Sequence, residues 1–240
     1  MIQPSIDNLD IKIFADGANI RDILDLNSNR LIRGFTTNPT LMRKSGIQDY
    51  SQFAREVLSQ VVDKPVSFEV FADDTEEMIN QARKINSWGK NVYVKIPVLK
   101  TSGESNLEVV KVLAFDGIKV NITAIMTSER VLEFSQVLNP EVPSYVSIFA
   151  GRIADTGRDP VPIVEKSIEI LEDNRNAEII WASPRELLNV IQADAIGCHI
   201  ITATTDILSK MEKIGYSLEN FSLDTAKMFF DDAKASNFKI

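Results

Sequence analysis

The 240-residue chain reads as an α/β protein: a single (β/α)8 barrel spanning residues 1–240 with one extra C-terminal helix. Three observations predict it. Eight short runs rich in Val, Ile and Phe alternate with amphipathic segments, at intervals of roughly 20 to 35 residues and without a linker or low-complexity break. Most of these runs end in a polar residue, as barrel strands do where they open onto a site. The first run is not followed by a Gly-x-Gly-x-x-Gly turn, which counts against the runner-up, a doubly wound open sheet.

The first strand is read over Ile11–Ala15, ending at Asp16, and a short helix follows with Ile20, Ile23, Leu24 and Leu26 on its apolar face. Gly34–Thr37 is the second strand, closed by Asn38-Pro39, where the proline prevents an immediate return to regular pairing. A helix spans Tyr50–Val62 through Phe53, Val57, Leu58 and Val61. Pro65–Phe71 alternates too little to face water and reads as a buried third strand. Asp74-Thr75-Glu76-Glu77 opens a helix with an acidic first turn; it runs to about Trp88, with Gly89 as its stop.

Asn91–Val98 is the fourth strand, followed by a helix from about Ser105 to Phe115. Lys119–Ile125 is the fifth, with a helix over Ser128–Leu138. Tyr145–Phe149 is the sixth, after which Asp159-Pro160 opens a helix carrying Val164, Ile168 and Leu171. Glu178–Ala182 is the seventh, with a helix over about Arg185–Ala195. Cys198–Ala203 is the eighth, with a helix over about Thr205–Ile214. Asp224–Ala235 is the additional amphipathic helix, expected outside the repeat or against a neighbouring subunit.

The formal charge of −8 argues against nucleic acid or an anionic membrane as the main partner, while leaving room for a small phosphate ligand held by local arginines. Cys198 is the only cysteine and His199 the only histidine. That rules out an internal disulfide, a His–His metal pair and a Cys–His zinc cluster. As strand neighbours they face opposite ways, so neither is expected to be catalytic. The N-terminus lacks a basic stretch and an apolar core, so no signal peptide is expected, and no apolar run reaches the roughly 18 residues of a membrane span. The expected location is the cytoplasm.

Chemistry concentrates on Val92-Tyr93-Val94-Lys95-Ile96-Pro97, an apolar strand with one lysine set into it. Burial favours the neutral amine, which makes Lys95 a candidate nucleophile; a strand-end lysine whose head escapes to water is the plain alternative. The other strand ends carry Asp16, Asn38, Glu69, Thr123, Ser147 and Ser183, with Arg152 and Arg185 just beyond. Asp16 could merely cap a helix, Asn38 could form a turn, and Thr123 and Ser147 could be packing positions. Glu69 is harder to dismiss, because a carboxylate within Val-Ser-Phe-Glu-Val-Phe must find a partner. Together the set suits amine catalysis on a carbonyl. A neutral lysine forms a Schiff base with a ketose, and the iminium is the electron sink for cleavage of the adjacent C–C bond, so neither a metal nor an organic cofactor is expected. Glu69, Thr123 and Asp16 have suitable chemistry for the proton transfers, and Arg152 and Arg185 suit a phosphate clamp.

From Phe14 to about Phe230 the sequence resembles the transaldolase family, in its shorter branch that also holds fructose-6-phosphate aldolases. Thr36-Thr37-Asn38-Pro39 matches its Thr-Thr-Asn-Pro motif, and Val94-Lys95-Ile96-Pro97 its Schiff-base lysine segment. Phe14-Ala15-Asp16, Val120-Asn121-Ile122-Thr123, Ser147-Ile148-Phe149-Ala150-Gly151-Arg152 and Ala182-Ser183-Pro184-Arg185 resemble further segments. The resemblance implies Lys95 as the Schiff-base residue and Asp16 as the group exchanging the substrate hydroxyl proton. It implies a water activated by Glu69 with Thr123, substrate hydroxyls held by Asn38 and Ser147, and phosphate bound by Arg152, Ser183 and Arg185. Glu69 and Phe149 resemble the transaldolase type, where the aldolase type has Gln and Tyr. Transfer of a three-carbon ketol unit is therefore expected ahead of simple cleavage, with a catalytically silent sugar-phosphate-binding barrel as a remote third reading. Departures at Gly17, Ile148, Pro184 and Leu99–Glu104 bear on the sugar and phosphate pocket. The resemblance also implies sugar-phosphate partners and a homo-oligomer in which the helix around Met228-Phe229-Phe230 packs on a neighbour.

Overall fold

The structure is a computed structural model that describes residues 5–236. Its centre is a closed, all-parallel barrel of eight strands in sequential order, as expected from the eight-fold alternation. In chain order the elements are β1 (Lys12–Asp16), α1 (Ile20–Asn27), β2 (Ile32–Thr36), α2 (Pro39–Lys44), α3 (Tyr50–Gln60), β3 (Val66–Glu69), α4 (Thr75–Asn86) and β4 (Val92–Pro97). There follow α5 (Leu107–Phe115), β5 (Val120–Ile125), α6 (Ser128–Ser135), β6 (Ser144–Ile148), α7 (Ala150–Ala154) and α8 (Val161–Ile170). The chain then forms β7 (Ala177–Trp181), α9 (Leu188–Ala195), β8 (Ile200–Ala203), α10 (Thr205–Leu208) and α11 (Leu218–Ala235).

The two-residue period of a strand divides the core in two. On β4, Val92, Val94 and Ile96 face outward into a continuous apolar layer between sheet and helices. Tyr93 and Lys95 face the barrel interior. There Phe14, Tyr93, Tyr145, Ile180, Ala182 and Ile200 form a second, separate cluster. Tyr93 and Tyr145 stack with centroids 4.0 Å apart, and Phe14 meets Tyr145 edge-on at 5.7 Å. Gly34 makes room for this plug: a Cβ there would lie 2.5 Å from Phe14 Cζ. The register carries polar side chains above it, with Glu69 opposite Lys95, Lys95 opposite Asn121, and Asp16 opposite Thr36.

Several expectations are corrected. Leu24 is exposed, while Ile23 is buried and Ile20 and Leu26 pack half-buried against the core. Gly89 does not stop α4: the helix ends at Asn86, capped by Ser87, whose N–H bonds the carbonyls of Arg83 and Ile85. The helix expected from Arg185 starts at Leu188, because Asn189 Oδ1 accepts from the Arg185 and Glu186 amides and holds that stretch as a loop. The helix expected over Thr205–Ile214 breaks into α10 and a 3-10 turn, Met211–Lys213. The last helix starts six residues early, at Leu218, where Ser217 caps the Asn220 amide. Cys198 and His199 precede β8 rather than lying in it. Cys198 is buried, which pushes its thiol up to about 12, and His199 Nδ1 accepts from the Ile179 amide. No described helix is long and apolar enough to cross a membrane.

Candidate active site

All ten residues singled out from the sequence line one cavity of about 570 Å³ at the carboxyl ends of the strands. Asp16, Glu69, Lys95, Thr123 and Ser147 come from β1, β3, β4, β5 and β6. Asn38 caps α2, Phe149 and Arg152 lie at and in α7, and Ser183 and Arg185 follow β7.

Lys95 sits at the base of this cavity, 5% exposed. Its Nζ donates to the Thr37 carbonyl at 2.8 Å and lies 3.2 Å from Glu69 Oε2. The alternative of a strand-end lysine reaching water is thereby removed, and the half-buried carboxylate of Glu69 has found its partner. The Glu69 carbonyl accepts from Tyr50 Oη at 3.0 Å, fixing the end of β3. Thr123 is 2% exposed, and its Oγ1 has no hydrogen-bond partner among the described residues. An unsatisfied buried hydroxyl facing a cavity is a place for a water or a substrate oxygen.

Asp16 is the hub of a polar chain. Thr36 Oγ1 donates to Asp16 Oδ1 at 2.8 Å and lies 2.6 Å from Thr202 Oγ1, while Asn38 Nδ2 reaches Asp16 Oδ2 at 3.4 Å. Burial pushes the Asp16 carboxyl up from its ordinary value. Lys95 and the two hydrogen bonds pull it part of the way back, and the Glu69 charge adds to the rise. Asp16 does not cap α1, a task that falls to Asn19. Asn38 does cap α2, its Oδ1 accepting from the Leu41 amide at 2.9 Å. It acts as a helix cap rather than a turn former, and that role coexists with the contact to Asp16.

A second chain runs Ser147–Asn121–Ser67: Ser147 Oγ donates to Asn121 Oδ1 at 2.7 Å, and Asn121 Nδ2 donates to Ser67 Oγ at 3.0 Å. The Ser147 proton is thus occupied, leaving its oxygen to accept. Sequence reading gave no role to Thr36, Thr202, Asn121 or Tyr50. The available signal was a buried polar side chain at an inward strand position, or a tyrosine opening a helix.

The two arginines differ. Arg185 is ion-paired with Asp155, with Nε 3.1 Å from Oδ1 and a second, shorter contact through Nη2. Arg152 has no ion pair among the described residues and lies over the Phe149 ring, 5.8 Å from its centroid. Phe149 thereby holds this guanidinium at the cavity edge. Ser183 and Ala124 adopt left-handed backbone, φ 58° and 63°, and both line the cavity. For non-glycine residues that conformation costs about 1 kcal/mol or more and is maintained by its surroundings. Gly151 is required beside it, because a Cβ there would fall 1.6 Å from the Ser183 carbonyl oxygen. Among the described residues no group of three His, Cys, Asp or Glu side chains is placed to hold a metal ion.

The family described as Transaldolase/Fructose-6-phosphate aldolase matches this sequence over residues 13–240. The chain belongs to that family. Its enzyme class is accordingly an aldolase of the transaldolase type. A relative from Thermoanaerobacter sp. (strain X514), named "Probable transaldolase", is 37% identical over 85% of this chain and 90% of its own. One of the same name from Clostridium acetobutylicum is 36% identical over 91% and 99%. Another from Methanococcus maripaludis (strain C7) is 35% identical over 84% and 89%. A solved structure from Coccidioides immitis, described as a candidate fructose-1,6-biphosphate aldolase, superposes with a TM-score of 0.54. At 13% identity, covering 88% of this chain and 81% of that one, it speaks to the barrel alone.

Proposed function

We propose that this protein is a Schiff-base transaldolase, moving a three-carbon ketol unit from a ketose phosphate to an aldose phosphate. The observation that carries the reading is a lysine buried at the base of the cavity with a carboxylate 3.2 Å away and a second carboxylate, Asp16, on the same floor.

In this reading Glu69 accepts a proton from Lys95, and the neutral amine adds to the ketose C2 carbonyl. The carbinolamine loses water through Glu69 and a water held at the unpartnered Thr123 hydroxyl. Asp16 takes the C4 hydroxyl proton as the C3–C4 bond breaks, the electron pair passing into the iminium to leave an enamine and an aldehyde. Its raised affinity for a proton suits an acid that must also return it to the new alkoxide. An acceptor aldehyde then adds to the enamine, and hydrolysis frees Lys95. Asn38 and Ser147 hold substrate hydroxyls, and Arg152, Ser183 and Arg185 receive the phosphate. The iminium is itself the electron sink, so the scheme calls for no cofactor.

Glu69 and Phe149 favour transfer over release, since Phe149 presents no hydroxyl to position the water that would protonate the enamine. The reaction is assigned to the cytoplasm, with residues 1–240 as one barrel domain. The protein works as a homo-oligomer: α11 is exposed along its length and carries Leu218, Phe229 and Phe230 at 83, 64 and 69% exposure, an apolar face for a second copy. Light scattering in solution checks that last point, and a strict monomer would overturn it.

The test is borohydride reduction with fructose 6-phosphate and peptide mapping, beside turnover with and without erythrose 4-phosphate. A reduced adduct on Lys95 with acceptor-dependent turnover is expected. Acceptor-independent release of glyceraldehyde 3-phosphate would make the protein a lyase. An intact activity in Lys95→Met would remove the Schiff base altogether.

A further inference from the structure

The opposite mouth of the barrel holds a second cavity of about 530 Å³, ringed by Lys12, Arg33, Lys64, Lys90 and Lys119. Five cations converge there in a chain whose net charge is −8. The nearby carboxylates are Asp63, which makes no ion pair among the described residues, and Glu178, which is spent on Lys12 at 2.6 Å. The inner wall is the stacked pair Tyr93–Tyr145, with Lys119 Nζ 5.6 Å from the Tyr93 centroid.

We infer that this well is a binding site for a small oligoanion of the pyrophosphate or bisphosphate class, separate from the catalytic cavity. The separation is built into β1: Lys12 and Asp16 share the inward face four residues apart, about 13 Å along the strand. The aromatic plug of Phe14, Tyr93 and Tyr145 lies between the two.

The cations outnumber the nearby carboxylates, five to two. Burial and the neighbouring Arg33 guanidinium both press the Lys64 ammonium down from its ordinary value, a repulsion that a bound anion would relieve. Some of the cations are anchored by the fold: Lys64 Nζ donates to the carbonyls of Asn27 and Asn29, and Lys119 Nζ to that of Lys90. Arg33 and Lys90 are exposed, and their side chains have no hydrogen bond or ion pair among the described residues. Anchored cations at the wall and free ones at the rim suit a ligand with more than one charged group, and the volume exceeds what one phosphate needs.

The test is calorimetric titration of the full chain with inorganic pyrophosphate, at low and at physiological ionic strength. An Arg152→Ala/Arg185→Ala variant removes the catalytic cavity's own arginines. One saturable site is expected to survive in that variant and to weaken with salt. It is expected to weaken at least about tenfold in Arg33→Glu/Lys90→Glu, through the loss of two charge-assisted contacts. Circular dichroism confirms the fold of each variant, and Arg33→Gln/Lys90→Gln serves if charge reversal impairs folding. Saturable binding that disappears only with Arg152 and Arg185, or no saturable binding to the parent, would overturn the site. Because the readout is binding rather than turnover, it stands apart from the proposed transferase reaction.

Discussion

Replacing Lys95 by methionine removes one partner of a buried ion pair while keeping most of the side-chain volume. Lys95 and Glu69 have side chains 6 and 15% exposed, with Nζ 3.2 Å from Oε2 and 2.8 Å from the Thr37 carbonyl. The variant strands a largely shielded carboxylate and a carbonyl at the cavity wall. Breaking a buried pair in this way costs about 3–5 kcal/mol, most of it the desolvation of the charge left behind. In a chain of this size that lowers the melting temperature by about 6–20 °C. Glu69→Gln in the same background neutralises the stranded carboxylate, so the double variant should recover about half of the loss or more. Urea unfolding of parent, both single variants and the double gives the coupling energy directly. The reasoning is refuted if Lys95→Met is as stable as the parent, or if the coupling is below about 0.5 kcal/mol. Either outcome would mean that the lysine and glutamate do not meet in solution. Proton transfer from one to the other would then lose its geometric basis.

Three further outcomes follow from the same geometry. Asp16 is more strongly protonated in the folded than in the unfolded chain, so its contribution to stability is present below the unfolded value and lost as pH rises through the folded one. Asp16→Asn should therefore be more stable than the parent at pH 7, with the gap closing below about pH 4, and inactive; a variant less stable at pH 7 would contradict the burial argument. Tyr50→Phe deletes the donor to the Glu69 carbonyl but keeps the ring contacts with Phe68, Phe71 and Trp88. It should cost about 1 kcal/mol and lower kcat several-fold with KM unchanged, read by steady-state kinetics beside urea unfolding. Gly151→Ala drives a Cβ into the Ser183 carbonyl, so it should destabilise by about 1–3 kcal/mol and raise KM for a phosphorylated donor more than for its unphosphorylated analogue.

The barrel was legible because a buried strand advertises itself. Val92, Val94 and Ile96 lie on the helix side while Tyr93 and Lys95 lie inside, and a similar alternation recurs on β1, β6, β7 and β8. What escaped was short or distant. Helices α2 and α7, six and five residues long, span less than two turns, too little to establish a period. The early start of α11 was hidden because Leu218–Leu223 makes no buried contact that an apolar pattern could report. The partners of Asp16 lie 20 residues away at Thr36 and, through it, on β8 at Thr202. Barrel closure brings β8 against β1, and no local pattern encodes that adjacency. Arg185 lines the cavity, yet its pairing with Asp155, at the end of α7, is a contact no local pattern announces.

These long-range contacts determine how the site can work. In the proposed reaction Lys95 needs an acceptor for its proton before it can attack, and the register of β3 on β4 sets Glu69 directly beside it. The same register would make the pair inert if nothing competed for the lysine. In the proposed reaction the competitor is the substrate carbonyl, which enters the cavity that Thr123 also lines with its Oγ1 buried and unpartnered. A water or substrate oxygen entering there gains a hydrogen bond that the empty protein lacks, in a place where an unmade bond costs about 1–3 kcal/mol. In the proposed reaction that gain becomes available as substrate binds, when the amine must be freed from Glu69. Thr123→Val, isosteric and without the hydroxyl, tests this coupling. It should leave the fold at least as stable as the parent, because it deletes an unsatisfied group. It should slow borohydride-trappable adduct formation on Lys95 more than it weakens substrate binding. A variant that forms the adduct at the parent's rate would separate the threonine from the chemistry and leave Glu69 to act alone.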